Sequence, residues 1–218
     1  FPRHDSLLAK KDMVQDDLIL LAPTWRKYLT VENDAVGERR LKHEDFANSD
    51  FCRNWSEVLT SERLRDIAQA QGLKIMLVPH PNMAMYIEDM AIPDWVETVD
   101  VREGASYQDL LSRARIAVTD YSSAVSDVAF LQRPVIYFQF DADEMFKGDH
   151  VYKRGFFEFE RDGFGPVVKT ATKVVDHIDE VLSGREDPIF AARRAESFPF
   201  RDGQSCQRVI RAVERLHG

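Results

Sequence analysis

Three short runs in this chain carry side chains able to hold a phosphate. Thr119-Asp120-Tyr121-Ser122-Ser123 places two hydroxyl donors after the apolar run Ile116–Thr119, where a helix is expected to begin. The first turn of a helix exposes backbone N–H groups without internal partners and a partial positive charge, which suits an anion. That attraction is worth roughly 0.3–1 kcal/mol, or about 2 when partly buried, whereas a micromolar ligand needs about 8 kcal/mol. Other groups must therefore contribute. His80, between Pro79 and Pro81, offers an imidazole that near neutral pH donates to phosphate oxygens or manages a proton. Thr24-Trp25-Arg26 offers a guanidinium whose fork matches two phosphate oxygens. Each has a plain structural reading beside the chemical one: an N-cap for Ser122 or Ser123, a packed loop residue for His80, a surface ion pair for Arg26.

The elements that must position these residues are legible from hydrophobic patterning. Asp17–Ala22 reads as a buried strand that delivers Pro23-Thr24-Trp25-Arg26 from its end. Residues 27–50 are polar, with turn formers at Asn33-Asp34 and Gly37, and read as an excursion outside the core. Ser56–Gln71 predicts a helix closed by Gly72, and Lys74–Val78 a second strand that delivers Pro79-His80-Pro81-Asn82. A short helix is expected over Met83–Met90, a third strand over Trp95–Val101, and a helix capped by Ser106. The strand Ile116–Thr119 follows, then the Ser-rich turn, a helix over Ala124–Leu131 and the strand Val135–Phe138, a parallel βαβ unit. An edge strand at Gly165–Val168 and helices over Thr172–Ser183, Asp187–Ser197 and 203–216 complete the chain. Strands alternating with helices predict an α/β, doubly wound parallel sheet of Rossmann-like type. In the dinucleotide-fold strand order, the first and fourth strands are neighbours at the switch point where such sheets bind ligands. Thr24-Trp25-Arg26 and Asp120–Ser123 would then line one crevice, with His80 one strand away.

Composition narrows the class. The chain has 218 residues and a formal charge of −8, which argues against general nucleic-acid binding. Two cysteines, Cys52 and Cys206, without Cys/His ligand spacing support neither a disulfide framework nor a zinc site. No apolar run approaches the roughly 18–20 residues of a membrane span. Asp141, Asp143 and Glu144 read as loop surface. Trp25, Tyr137, Phe138 and Phe140 are candidates for an aromatic wall, although aromatics at strand ends more often belong to the core. The start at Phe1, without an initiator Met, reads as a fragment of a longer protein.

These segments together resemble the CDP-glycerol glycerophosphotransferase family, which comprises teichoic-acid polymerases and capsule-polymerase relatives. The resemblance rests on Phe1-Pro2-Arg3 with Asp5, Ala22-Pro23-Thr24-Trp25-Arg26, His80-Pro81-Asn82, and Thr119-Asp120-Tyr121-Ser122-Ser123 with Asp127. It continues with Arg133-Pro134, Arg154-Gly155-Phe156-Phe157, Gly165-Pro166, and Asp202-Gly203 with Ser205, in the family's order over nearly the whole chain. It implies a GT-B architecture, with residues 1–218 forming the C-terminal, donor-binding domain and the last helix packing back toward a further domain. It implies transfer of a polyol phosphate from a CDP-activated donor to a lipid-linked polymer, with CMP released. A second His and the acceptor side would belong to that other domain. Carried onto this sequence, His80 is the functional imidazole and Ser122 and Ser123 hold the diphosphate. Thr24, Arg26 and Arg154 are further donor contacts. Asp127 accepts from a ribose or glycerol hydroxyl, and Asp120 contacts ligand or shapes the turn. No cofactor, metal or nucleic acid is implied, and membrane contact runs only through the rest of the parent, at the inner face of the cell membrane. A GT-B transferase using a UDP-sugar and a non-catalytic nucleotide-binding module are the competing expectations.

Overall fold

The computed structural model describes residues 2–11, 15–31, 41–101, 106–145 and 155–217. Its centre is a six-stranded parallel sheet built from β1 (Leu18–Ala22), β4 (Lys74–Leu77), β5 (Val96–Thr98), β6 (Ala114–Thr119), β7 (Val135–Phe138) and β8 (Val167–Val168). The strands lie in the order β5-β4-β1-β6-β7-β8. Counted along the sheet's own strands this is 3-2-1-4-5-6, the doubly wound order with its switch point between β1 and β6. Two short strands, β2 (Thr30–Val31) and β3 (Leu41–Lys42), pair separately as an antiparallel ribbon.

Both faces of the sheet are covered, so β1 is apolar at every position rather than at alternate ones. Along β1, Ile19 and Leu21 enter one core and Leu18 and Leu20 the other. The first core is closed by α2 (Asp50–Leu59), α3 (Glu62–Ala70) and α8 (Ala171–Leu182); the second by α4 (Tyr107–Arg113) and α5 (Val125–Phe130). A 3-10 helix, Pro81–Asp89, follows β4. The turns α6 (Ala142–Met145) and α7 (Phe159–Asp162) and the helices α9 (Pro188–Ser197) and α10 (Ser205–His217) complete the set, and an unexpected helix, α1 (Pro2–Lys11), opens it.

The structure differs from the patterned expectation at three places. The helix expected over Ser56–Gln71 is two helices, because the Ser61 hydroxyl accepts from the Leu64 amide and restarts the chain as an N-cap. The excursion after residue 26 is partly core: Leu29 and Phe46 are buried, and Phe46 stacks on Tyr86 with ring centroids 3.9 Å apart. The edge strand is only two residues long, and just before it Gly165 passes so close to the Val135 carbonyl that a Cβ would sit 1.6 Å from that oxygen, which restricts the position to glycine.

Candidate functional site

A cleft of about 400 Å³ opens at the carboxyl edge of the sheet over the β1/β6 switch point. Its walls come from three strand ends: Thr24 after β1, His80 and Pro81 after β4, and Ser122, Ser123 and Ala124 after β6, with Tyr107 from the start of α4. The topology requires this convergence, because parallel strands present all their carboxyl ends on one side.

Ser122 and Ser123 sit in a turn and not on the helix itself, since α5 begins at Val125 and has six residues. So short a helix adds little dipole, and the useful groups are those of the turn. The Ser122 hydroxyl accepts from the Ala124 amide at 3.2 Å, an arrangement that tightens the turn. The amide protons of Ser122 and Ser123 find no acceptor among the described residues. Half-buried His80 is oriented from behind: its Nδ1 accepts from the Asn82 amide at 3.2 Å. The neutral ring therefore carries its proton on Nε2 and acts there as a donor. Tyr107, which patterning assigned only to a helix, adds a phenol. Burial, then the charges of Asp127 and Asp120, pushes its pKa up to about 12, so the hydroxyl stays protonated.

Arg26 departs from the expectation of a phosphate contact. Its guanidinium is fully buried beneath the turn. It pairs with Asp120 Oδ2 at 2.9 Å and Asp141 Oδ2 at 2.6 Å, and it donates to the Thr24 carbonyl at 2.7 Å. Tyr121, Phe51 and Phe140 pack their rings around it at 5.1, 5.3 and 5.7 Å. Burial alone would lower its pKa, but Asp120 and then Asp141 outweigh that and hold it above the ordinary arginine value. Asp120, also fully buried, accepts from the amides of Thr24 and Tyr121, both at 2.8 Å, and so ties the exits of β1 and β6 together. Of its two expected roles, the structure shows the shaping of the turn. Asp141 is not loop surface either: it is 6% exposed and takes hydroxyl bonds from Tyr121 and Tyr28 besides the guanidinium.

Asp127 also lies off the cleft. It is buried, and its Oδ1 meets His4 Nε2 at 3.2 Å, while the His4 ring stacks on Phe130. A carboxylate one turn into a helix faces inward here because α1 packs across α5, which patterning did not foresee. Tyr137 and Phe138 enter opposite cores, and neither Trp25 nor Phe140 lines the cleft. Arg154 falls outside the described residues. Other motif residues serve as framework. Arg133 donates to the carbonyls of Ser112 and Ala114, and Asp5 accepts from the amides of Ser205 and Cys206, joining the first and last motifs.

Comparison with known proteins identifies the family and the fold. The family model described as CDP-Glycerol:Poly(glycerophosphate) glycerophosphotransferase matches residues 1–215. The minor teichoic acid biosynthesis protein GgaB of Bacillus subtilis (strain 168) is 29% identical over 218 residues, covering 99% of this chain and 23% of its own length. The teichoic acid glycerol-phosphate transferase of Staphylococcus aureus (strain NCTC 8325 / PS 47) is 26% identical over 98% of this chain and 52% of its own. Among solved structures, the wall teichoic acid polymerase TagF superposes over 99% of this chain and 50% of its own, with a TM-score of 0.58 at 18% identity, a likeness of fold. The chain thus spans about half, or less, of the length of these relatives.

Proposed function

The chain belongs to the CDP-glycerol:poly(glycerophosphate) glycerophosphotransferase family, and from that premise we propose that it binds a CDP-activated polyol at the β1/β6 cleft. In this reading residues 1–218 are the donor-binding domain of a larger GT-B transferase that extends a teichoic-acid-like or capsular polymer. The observation that carries it is the convergence of His80, Ser122 and Ser123 on one cleft at the switch point of the sheet. In the reaction, an acceptor hydroxyl attacks the phosphorus that bears the polyol. The bond from that phosphorus to the bridging oxygen breaks, CMP leaves with the oxygen, and the hydroxyl proton passes to a base. Negative charge grows on the departing CMP phosphate. The His80 Nε2–H, the hydroxyls of Ser122 and Ser123 and the two turn amides are the groups positioned to meet it, and preorganised donors of this kind stabilise such charge without reorganising. Arg26 and Asp120 act from below, by holding the turn.

The lipid-linked acceptor and the cytoplasmic membrane face belong to the proposal as well. No helix among the described residues is long and apolar enough to cross a membrane; in this reading membrane contact runs through the rest of the parent. Calorimetry on the full-length protein with CDP-glycerol, CMP and a UDP-sugar tests the donor assignment. Binding of the two cytidine compounds without the UDP-sugar is expected. Equal heats for all three, or none, would overturn it, and preference for the UDP-sugar would make the protein a sugar transferase.

A further inference from the structure

Thr24 belongs to both the buried ion pairs and the cleft. Its backbone is held from below: the amide donates to Asp120 Oδ1 at 2.8 Å and the carbonyl accepts from Arg26 Nη1 at 2.7 Å. Its side chain lines the cleft, yet the residue is only 2% exposed. Oγ1 is shut off from water in this arrangement and has no hydrogen-bond partner among the described residues. The neighbouring Ala22 carbonyl is taken by the Thr119 hydroxyl instead. A buried hydroxyl without a partner loses the hydrogen bonds it made in water and regains nothing, so it destabilises the fold that keeps it. A valine would fill the same volume without that penalty.

We propose that the Thr24 hydroxyl is kept for the ligand: on binding it turns by one χ1 step into the cleft and donates to a phosphate oxygen of the nucleoside diphosphate. This rests on the donor-site reading above. Threonine commonly occupies two χ1 wells, and with both backbone groups of Thr24 pinned, only the side chain needs to move. Phosphate is the partner that fits the position, because Thr24 lines the same cleft as the Ser122–Ser123 turn, whose hydroxyls and amides are also donors. Several donors on adjacent strand ends suit an acceptor-rich group in the cleft.

The consequence is a pair of effects with opposite signs. Thr24→Val should raise the melting temperature of the full-length protein by about 1–2 °C, less than removal of one unsatisfied buried polar group gives in a chain of 218 residues. The same change should weaken binding of CDP-glycerol and of inorganic pyrophosphate about 5–10-fold, the loss of one hydrogen bond. Thr24→Ser should restore the affinity. Melting and calorimetry are to be run on the full-length protein, wild type and both variants, with those two probes. If the wild type binds neither, the donor-site reading falls and this inference with it. If the wild type binds and Thr24→Val binds equally well, the inference alone falls. A valine variant that melts below the wild type would show that the hydroxyl is already partnered, and loss confined to CDP-glycerol would place it on the ribose or polyol; either result overturns the proposal.

Discussion

Below the Asp120–Ser123 turn, Arg26, Asp120 and Asp141 form ion pairs sealed from water among aromatic rings. Above it, Thr24, His80, Ser122 and Ser123 line an open cleft whose described walls contain no Lys or Arg. A few residues separate the two regions along the chain, yet they use opposite materials. Full charges are placed where they are paired and desolvated, and the open cleft presents hydroxyls, amides and an imidazole. The physical sense of the division is that a buried ion pair tolerates little distortion, because separating its members strands a charge. Such pairs fix geometry well. In the proposed reading, neutral donors preorganised on that base hold the donor's diphosphate and still release CMP, which keeps only one of the two phosphates. In this motif the arginine supports the site from beneath.

Substitutions on either side of the turn should therefore separate stability from activity. Arg26→Met should have the largest effect, destabilising the protein by about 3–5 kcal/mol because two buried carboxylates lose their cation. Arg26→Lys should recover only part of this, lacking the fork and the planar stacking surface. Urea denaturation checks both, and wild-type midpoints would mean that the ion pairs do not hold the fold. His80→Ala should show the reverse, with transfer by the full-length protein falling about 10²–10³-fold, or roughly 2.7–4 kcal/mol, and stability moving by no more than about 1 kcal/mol. Full transfer activity in that variant would remove His80 from the reaction. Asp127→Asn should cost about 1–3 kcal/mol by weakening a buried interaction and leave affinity for CDP-glycerol unchanged; a loss of affinity at constant stability would return Asp127 to the ligand.

Smaller effects refine the boundary. Ser122→Ala should cost about 0.5–1.5 kcal/mol through the Ala124 amide and raise the dissociation constant for CDP-glycerol severalfold; a change in stability alone would make Ser122 a turn former only. At the opposite end of β1 and β6, Arg113 donates to both Asp17 oxygens at 2.9 and 2.7 Å, but this pair is partly exposed. The hydrogen bond from Arg113, opposed by desolvation and aided by its charge, holds the Asp17 pKa below the ordinary carboxylate value. A lowered carboxylate pKa contributes stability that is complete above the unfolded value, about 3.9. That contribution is lost as pH falls through the folded value. Asp17→Asn should accordingly cost less than about 1 kcal/mol at pH 7 and nothing further at pH 2, so unfolding midpoints at the two pH values should lie closer together than in the wild type.

The strands were legible because a sheet covered on both faces leaves continuous apolar runs, such as Leu18–Ala22 and Val135–Phe138. Their order was legible because connections in parallel sheets are right-handed and bind ligands at the switch. His80 and the Ser122–Ser123 turn could be assigned to one crevice for the same reason, since both follow strands. Tyr107 was missed because it opens a helix rather than following a strand, and the only sign of it was an aromatic immediately after the capping Ser106. Phe46 was missed because one aromatic in a polar stretch has no periodicity to report.

Residue type and spacing alone determined the α/β class, the strand that carries each motif and the end of the sheet where the motifs gather. What they left open was the direction in which a polar side chain faces once it arrives. Arg26 and Ser122 both leave strand ends in sequences rich in possible ligands, yet one points into the protein and the other borders the cleft. That choice rests on partners distant in sequence, Asp141 for Arg26 and His4 for Asp127, which become neighbours only when loop and helix pack together. A charge is buried where a counter-charge already waits, and only the tertiary structure brings the two to the same place.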